Sequence, residues 1–217
     1  ILFFINRIYF ICRIIKLSFF HSLDDIQDNS IMREGYPVTH SIYGLGNTIN
    51  AANYVQFVAF EKLANLHPAA TKIFIEEMLE CYRTQGMEIY LTNNFICPTE
   101  KDYKIMATRK SSWTVKLAVR LMKLFSTYEG DISSLISAFG MYYQIRNDYC
   151  NFFHKNDNGK SYCDDLTEGK FSLPIIHAIN SNPDDTQIIN ILKQHTTDIE
   201  MKRHCVKLLD SFGSLKY

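Results

Sequence analysis

The run Asp24-Asp25-Ile26-Gln27-Asp28 places three carboxylates at the end of a strongly apolar stretch. Positions four apart share a helix face, so Asp24 and Asp28 project together with Asp25 beside them. Carboxylates held this close repel one another unless a cation sits between them. Magnesium suits that role, because it takes hard oxygen ligands and a phosphate-bearing substrate completes its octahedron. A solvated acidic helix end would use the same residues, although negative charge is disfavoured at a helix C-terminus.

A second oxygen-rich run, Gln144-Ile145-Arg146-Asn147-Asp148-Tyr149-Cys150-Asn151, repeats the spacing at Asn147, Asp148 and Asn151 within another apolar segment. Two such helices facing each other across a bundle would hold a magnesium cluster between them. Arg33, Lys110, Lys160 and Lys170 would then neutralise the remaining phosphate charge, though each taken singly is an ordinary surface cation.

The elements that must position these residues read as helices. The 217 residues include only 9 Gly and 5 Pro, and no alternating run is long enough for a sheet. The pattern predicts helices over about 2–30, 47–66, 69–92, 99–127, 131–156, 173–181, 185–196 and 198–212. Pro68, Pro98 with Thr99-Glu100, and Ser181-Asn182-Pro183 mark helix starts. The polar, glycine-bearing segment 154–172 reads as a loop or flap.

Composition narrows the function. Hydrophobic residues make up 47% of the chain and aromatic residues 13%, enough to bury one substantial core. Lys+Arg and Asp+Glu both total 23, so no field of one sign draws in nucleic acid or an anionic membrane. The six cysteines form no CxxC pair and have no histidine at zinc spacing, which points to a reduced, cytoplasmic protein. Arg7, Arg13 and Lys16 interrupt the apolar opening, so neither a membrane span nor a signal peptide is expected. The start at Ile1 rather than methionine suggests a fragment.

At these residues the sequence resembles the trans-isoprenyl diphosphate synthases, most closely the animal geranylgeranyl diphosphate synthases. The likeness is clear from Ser18 to Tyr217 and runs through DDIQDNSIMREGYPVTHSIYG, QGMEIY, TEKDYKIM, LAVRLMKLFS, QIRNDYCN and DDLTEGKFSLPIIHAI. It implies a single all-α isoprenoid synthase bundle over 1–217, incomplete at both ends, working as a homodimer on an allylic prenyl diphosphate. It further implies three Mg2+ ions, with Asp24 and Asp28 taking two metals and Asn147 the third. Arg33, Lys110 and Lys170 would grip the diphosphate, Lys160 would lie nearby, and Gln144 would line the pocket.

Departures from the family pattern fall mostly on one subsite. Where the family has two arginines and a glycine after the first motif, this chain has Arg33-Glu34-Gly35, and a carboxylate would repel the isopentenyl diphosphate that the second arginine binds. Leu17 stands where the family has a histidine, and residues 1–16 lack its Gly-Lys-x-x-Arg element. On the allylic side, Lys110-Ser111-Ser112-Trp113 replaces Lys-Thr-Gly-Gly, which keeps the lysine and adds bulk. Asn147 replaces a charged ligand by a neutral carbonyl, as class I terpene synthases do, although Lys155 stands where their motif has glutamate.

Phe19 and Phe20 stand five and four residues before Asp24, where the resemblance has small residues in geranylgeranyl synthases and bulky aromatics in farnesyl-type ones. One turn deeper than Asp24 they would floor the pocket, and the likeness implies a C10 or C15 substrate, unless both are plain core residues. The expected activity is therefore a terpene synthase-like lyase that ionises geranyl or farnesyl diphosphate. A chain-elongating prenyltransferase is the alternative, and a non-catalytic paralogue or subunit the second.

Overall fold

The computed structural model describes residues 2–14, 20–33, 35–153 and 162–217. Phe19, Glu34 and Lys160, with Leu17 and Lys155, lie outside the described residues.

The expected all-α architecture is what the described residues form. Helix α1 (Leu2–Ile14) leads to α2 (His21–Gln27), which carries the first acidic run. Of the single helix expected over 2–30, residues 15–19 lie outside the described residues, and the part that carries the acidic run ends at a turn where Asn29 adopts a left-handed φ of 53°. Strands β1 (Met32–Arg33) and β2 (Tyr36–Pro37) then pair antiparallel, Arg33 opposite Tyr36. Sequence patterning offers no signal for this hairpin, since two-residue strands are too short to show alternation.

Next come α3 (Thr39–Tyr43), α4 (Leu45–Ala64), α5 (Ala70–Asn93), α6 (Glu100–Lys123) and α7 (Ser133–Phe153). Thr99 starts α6 as expected, its hydroxyl accepting from the Asp102 N–H at 3.2 Å. The segment 154–172 is not wholly loop: its described part contains α8 (Asp164–Glu168), stopped by Gly169 at φ 73°. Helices α9 (Leu173–Ser181), α10 (Gln187–Lys193) and α11 (Ile199–Ser211) close the chain. Pro174 sits in the first turn of α9, and Asp198 caps α11 by accepting from the Glu200 N–H at 2.8 Å.

Among the described residues two large apolar cores flank the site, with a smaller one of Tyr103, Ala107 and Ile176 between α6 and α9. One joins α1, α4, α5 and the second half of α6 through residues such as Ile8, Leu63, Phe74, Leu117 and Leu121. The other joins the end of α7 to α8–α11 through Phe152, Leu166, Ile175, Leu192 and Leu209. Each of these fully buried aliphatic side chains contributes about 1.5–3 kcal/mol. Glu77, buried on α5, accepts from Arg120 of α6 at 2.6 Å and fixes how those two helices align. On α7, a Cβ at Gly140 would lie 2.7 Å from the Ser112 Cβ, so only glycine permits the observed approach of α6 and α7. Among the described residues no helix is long and apolar enough to cross a membrane.

Candidate active site

A cavity of about 1200 Å³ opens where the two cores meet. Its walls come from α2, the β-hairpin, α5, α6, α7 and the segment Asp164–Ser172. A space of this size suits an organic ligand with a charged head.

The α2 wall supplies the acidic run, and every carboxylate there is matched by a cation. Asp24, 8% exposed, accepts from the Arg33 guanidinium at 2.9 Å and from the Gln85 amide at 3.1 Å, and Lys110 lies 3.7 Å away. Burial would raise the Asp24 carboxyl, but Lys110, Lys170 and Arg33 together hold it down at about 2. Asp25 accepts from Arg33 Nε at 2.7 Å, yet burial still raises its pKa. Lys170 bonds Asp28, and also Glu168 at 2.8 Å. Burial pushes the Asp28 carboxyl up to about 6; Lys170 opposes that shift and the Asp24 carboxylate adds to it. Burial also works against the charge on Lys110, but Glu88 and Asp24 outweigh it and raise that lysine's pKa.

The α7 wall supplies the second run. Gln144, Asn147, Asp148 and Asn151 all line the same cavity. Asp148 is 2% exposed and accepts three hydrogen bonds: from Tyr103 at 2.7 Å, from Gln144 at 2.7 Å and from the Leu173 N–H at 2.9 Å. The last of these serves the start of α9, where the preceding Ser172 makes no side-chain cap. Asp148 therefore latches α6, α7 and α9 together. Asn151 Oδ1 accepts from the Asp165 N–H at 3.3 Å. Gln144 also receives the Ser111 hydroxyl at 2.7 Å, which joins α7 to the Lys110-Ser111 turn of α6.

The structure thus brings Asp24, Asp25, Asp28, Arg33, Lys110 and Lys170 into one network of ion pairs and sets the α7 group on the facing wall. It does not bring the two acidic runs into direct contact: among the described residues, no three carboxylate, histidine or cysteine side chains cluster as a metal cage. Phe20 lines the cavity beneath Asp24.

Sequence reasoning missed Gln85, Glu88, Tyr103 and Glu168. Gln85 and Glu88 are three apart and share an α5 face, but their burial comes from tertiary packing and leaves no signal in the sequence. Glu168 lies two residues before Lys170 and receives the Ser30 hydroxyl at 2.7 Å.

The donor chemistry fits magnesium. Hard carboxylate and amide oxygens stand on both walls of one cavity, and a diphosphate between them would supply the ligands that neither wall completes alone. A metal entering here would compete with Arg33 for Asp24 and Asp25, and with Lys170 for Asp28.

Comparison with known proteins agrees with this geometry. The family described as Polyprenyl synthetase matches residues 7–209. A protein named terpene synthase from Matsumurasca onukii is 55% identical over 197 residues, covering 90% of this chain and 65% of its own length. Proteins named geranylgeranyl pyrophosphate synthase are 44% identical in Aspergillus flavus, over 98% of this chain and 64% of theirs, and 48% identical in Gibberella zeae, over 90% and 54%. The chain thus spans less than two thirds of the length of each of these relatives.

Proposed function

The chain belongs to the polyprenyl synthetase family, and from that premise we propose that it ionises a short allylic prenyl diphosphate, geranyl or farnesyl, releasing diphosphate and yielding a terpene. The observation that carries this reading is the Asp24–Lys110–Arg33 and Asp28–Lys170 array at one end of a cavity whose other lining includes Phe20, Trp113, Phe139 and Tyr143.

Breaking an allylic C–O bond concentrates negative charge on the departing diphosphate and leaves a carbocation. Bound Mg2+ supplies Lewis acidity at the leaving oxygens. Arg33, Lys110 and Lys170 bring fixed positive charge to the same place, already oriented by their carboxylate partners. As a ligand draws the carboxylates away, these cations turn from Asp24, Asp25 and Asp28 to phosphate oxygens. Asp24 and Asp28 would hold metal on one wall and Asn147 on the other. Asp148 and Asn151, which the notion of a metal-binding run also includes, support that wall through the bonds each already makes. Aromatic faces from Phe20, Phe139 and Tyr143 stabilise the cation until it loses a proton to the released diphosphate, giving a hydrocarbon, or takes up water, giving an alcohol.

The preference for a lyase rests on the chain's own departures, above all Glu34 following Arg33, and on the 55% identity to a protein named terpene synthase. Chain elongation with isopentenyl diphosphate is the second reading, favoured by the 44% and 48% identities to proteins named geranylgeranyl pyrophosphate synthase. Incubation with geranyl diphosphate and Mg2+, with and without isopentenyl diphosphate, separates the two. A hydrocarbon or alcohol formed without the second substrate identifies the lyase; a longer diphosphate formed only with it identifies the transferase. We further propose a cytoplasmic homodimer of one isoprenoid synthase domain, in which the exposed Tyr54 and Phe57, opposite the buried stripe of α4, face a second copy.

A further inference from the structure

Two rungs cross the cavity wall between α2 and α6. The upper rung is polar, with Asp24 and Lys110 3.7 Å apart. The lower rung is aromatic, with the Phe20 and Trp113 ring centroids 5.3 Å apart and their planes inclined at 52°. Phe20 has helical backbone angles and stands four positions before Asp24; Trp113 stands three positions after Lys110. Each ring therefore lies one helical turn, about 5.4 Å, from the polar group of its own helix. All four residues line the cavity.

The aromatic rung is backed by packed side chains. Trp113 is 4% exposed and belongs to the core shared by α1, α4, α5 and α6, against which Phe20 also packs. It is held in azimuth as well, because the preceding Ser112 meets α7 at Gly140, where a Cβ would approach to 2.7 Å. α6 cannot roll to swing the indole aside without closing that contact.

We propose that Trp113 is a specificity-determining residue that closes the prenyl channel. With Phe20 it floors the site one turn beneath the diphosphate grip and turns the tail toward α7, where Phe139 and Tyr143 line the cavity. The site accordingly takes C10 and C15 diphosphates and rejects C20. This rests on the allylic-diphosphate reading above and extends it to a residue on a different helix from the acidic run.

Trp113 is the single tryptophan of the chain, so its emission reports the floor directly. The probes are inorganic pyrophosphate and the non-ionising thiolodiphosphate analogues of geranyl, farnesyl and geranylgeranyl diphosphate, each with Mg2+. In the wild-type protein the geranyl and farnesyl analogues should shift tryptophan emission and pyrophosphate should not. By calorimetry, geranyl analogue should bind at least about tenfold tighter than geranylgeranyl analogue, since an apolar wall discriminates at this level for small differences in bulk. Trp113→Ala should shrink that ratio to about threefold or less with pyrophosphate affinity unchanged. Trp113→Leu, which keeps most of the packing, should move it partway, and circular dichroism confirms that each variant is folded.

A folded variant with the wild-type ratio overturns the proposal, as does a wild-type protein that binds the geranylgeranyl analogue as tightly as the geranyl one. Failure of the underlying reading has a different signature, in which neither pyrophosphate nor any analogue binds the wild-type protein, and the floor then has no tail to stop.

Discussion

Gln85 of α5 donates its amide to Asp24 Oδ1 at 3.1 Å, a buried bond between residues 61 positions apart. The opposite amide orientation would aim one oxygen at another, so chemistry fixes which end faces the carboxylate. The Gln85 carbonyl meanwhile is buried without a hydrogen-bond partner. Replacing Gln85 with leucine removes one donor to a charged group, worth about 1.5–3 kcal/mol, but also removes that unsatisfied oxygen. The two effects oppose, so we expect a fall in Tm of only a few degrees, about 2–4 °C per kcal/mol for a chain of this size. Asp24 loses its fixed orientation all the same, and the half-saturating Mg2+ concentration should rise by about tenfold, roughly 1.4 kcal/mol. A large loss of Tm with unaltered Mg2+ dependence would make Gln85 a packing residue only.

Lys170 holds Asp28 and Glu168 at once and lines the cavity. Lys170→Gln is one bond shorter and keeps a hydrogen-bond donor but removes the charge that a departing diphosphate would meet. Its turnover should fall by about 100-fold or more, the scale on which one preorganised electrostatic group acts. Ser30→Ala removes a hydroxyl that donates to Glu168, which stays paired with Lys170 at 2.8 Å; the bond contributes about 1.5–3 kcal/mol to the fold, but no charge at the site changes and turnover should stay within about threefold. Equal effects of the two substitutions in steady-state assays would place Lys170 outside the chemistry.

Much of this array was legible from sequence. Asp24, Asp25 and Asp28 announce themselves by crowding like charges onto one face, and Lys110 and Lys170 by sitting in stretches with family likeness. Gln85, Glu88 and Tyr103 were not legible, because each joins the site through tertiary packing from a helix whose local pattern is satisfied without it. Spacing alone points to Asp148 as a metal ligand, and its three hydrogen bonds add a structural task that only the position of α9 reveals.

That task is testable at Tyr103. Tyr103→Phe removes one of the donors to Asp148 while leaving the ring in its buried place. The loss should cost about 1.5–3 kcal/mol, because the acceptor is a buried carboxylate. Thermal unfolding should move down by about 3–12 °C at 2–4 °C per kcal/mol. If Asp148 were chiefly a metal ligand, the variant would instead keep its metal-free Tm and lose only its stabilisation by Mg2+ and pyrophosphate.

Thiol chemistry offers a probe of the cavity itself. Cys150 is half-buried and lines it, whereas Cys12, Cys81, Cys163 and Cys205 are buried, and burial pushes all four thiols up to about 12. Iodoacetamide at pH 8 should modify Cys150 first and leave those four untouched until the protein unfolds. Mg2+ with pyrophosphate should slow the Cys150 reaction several-fold, with peptide mass mapping to identify the site. Unprotected modification at saturating pyrophosphate would separate Cys150 from the ligand path.

The Asp24 carboxyl gives the metal-free protein an acid-sensitive term of known sign. Its folded pKa of about 2 lies below the usual carboxylate value, so ionised Asp24 stabilises the fold. That contribution is fully present above about pH 4 and disappears as pH falls through about 2, with a ceiling of about 2–3 kcal/mol. Asp24→Asn removes it, but the same substitution relieves the repulsion that Asp24 exerts on Asp28 and so returns part of the loss. In chelator-treated protein we therefore expect the variant to melt several degrees below wild type at pH 7, with the gap narrowing steadily once pH drops below about 4. A gap that stays constant down to pH 2 would mean that the ion pairs to Arg33 and Lys110 do not hold Asp24 ionised.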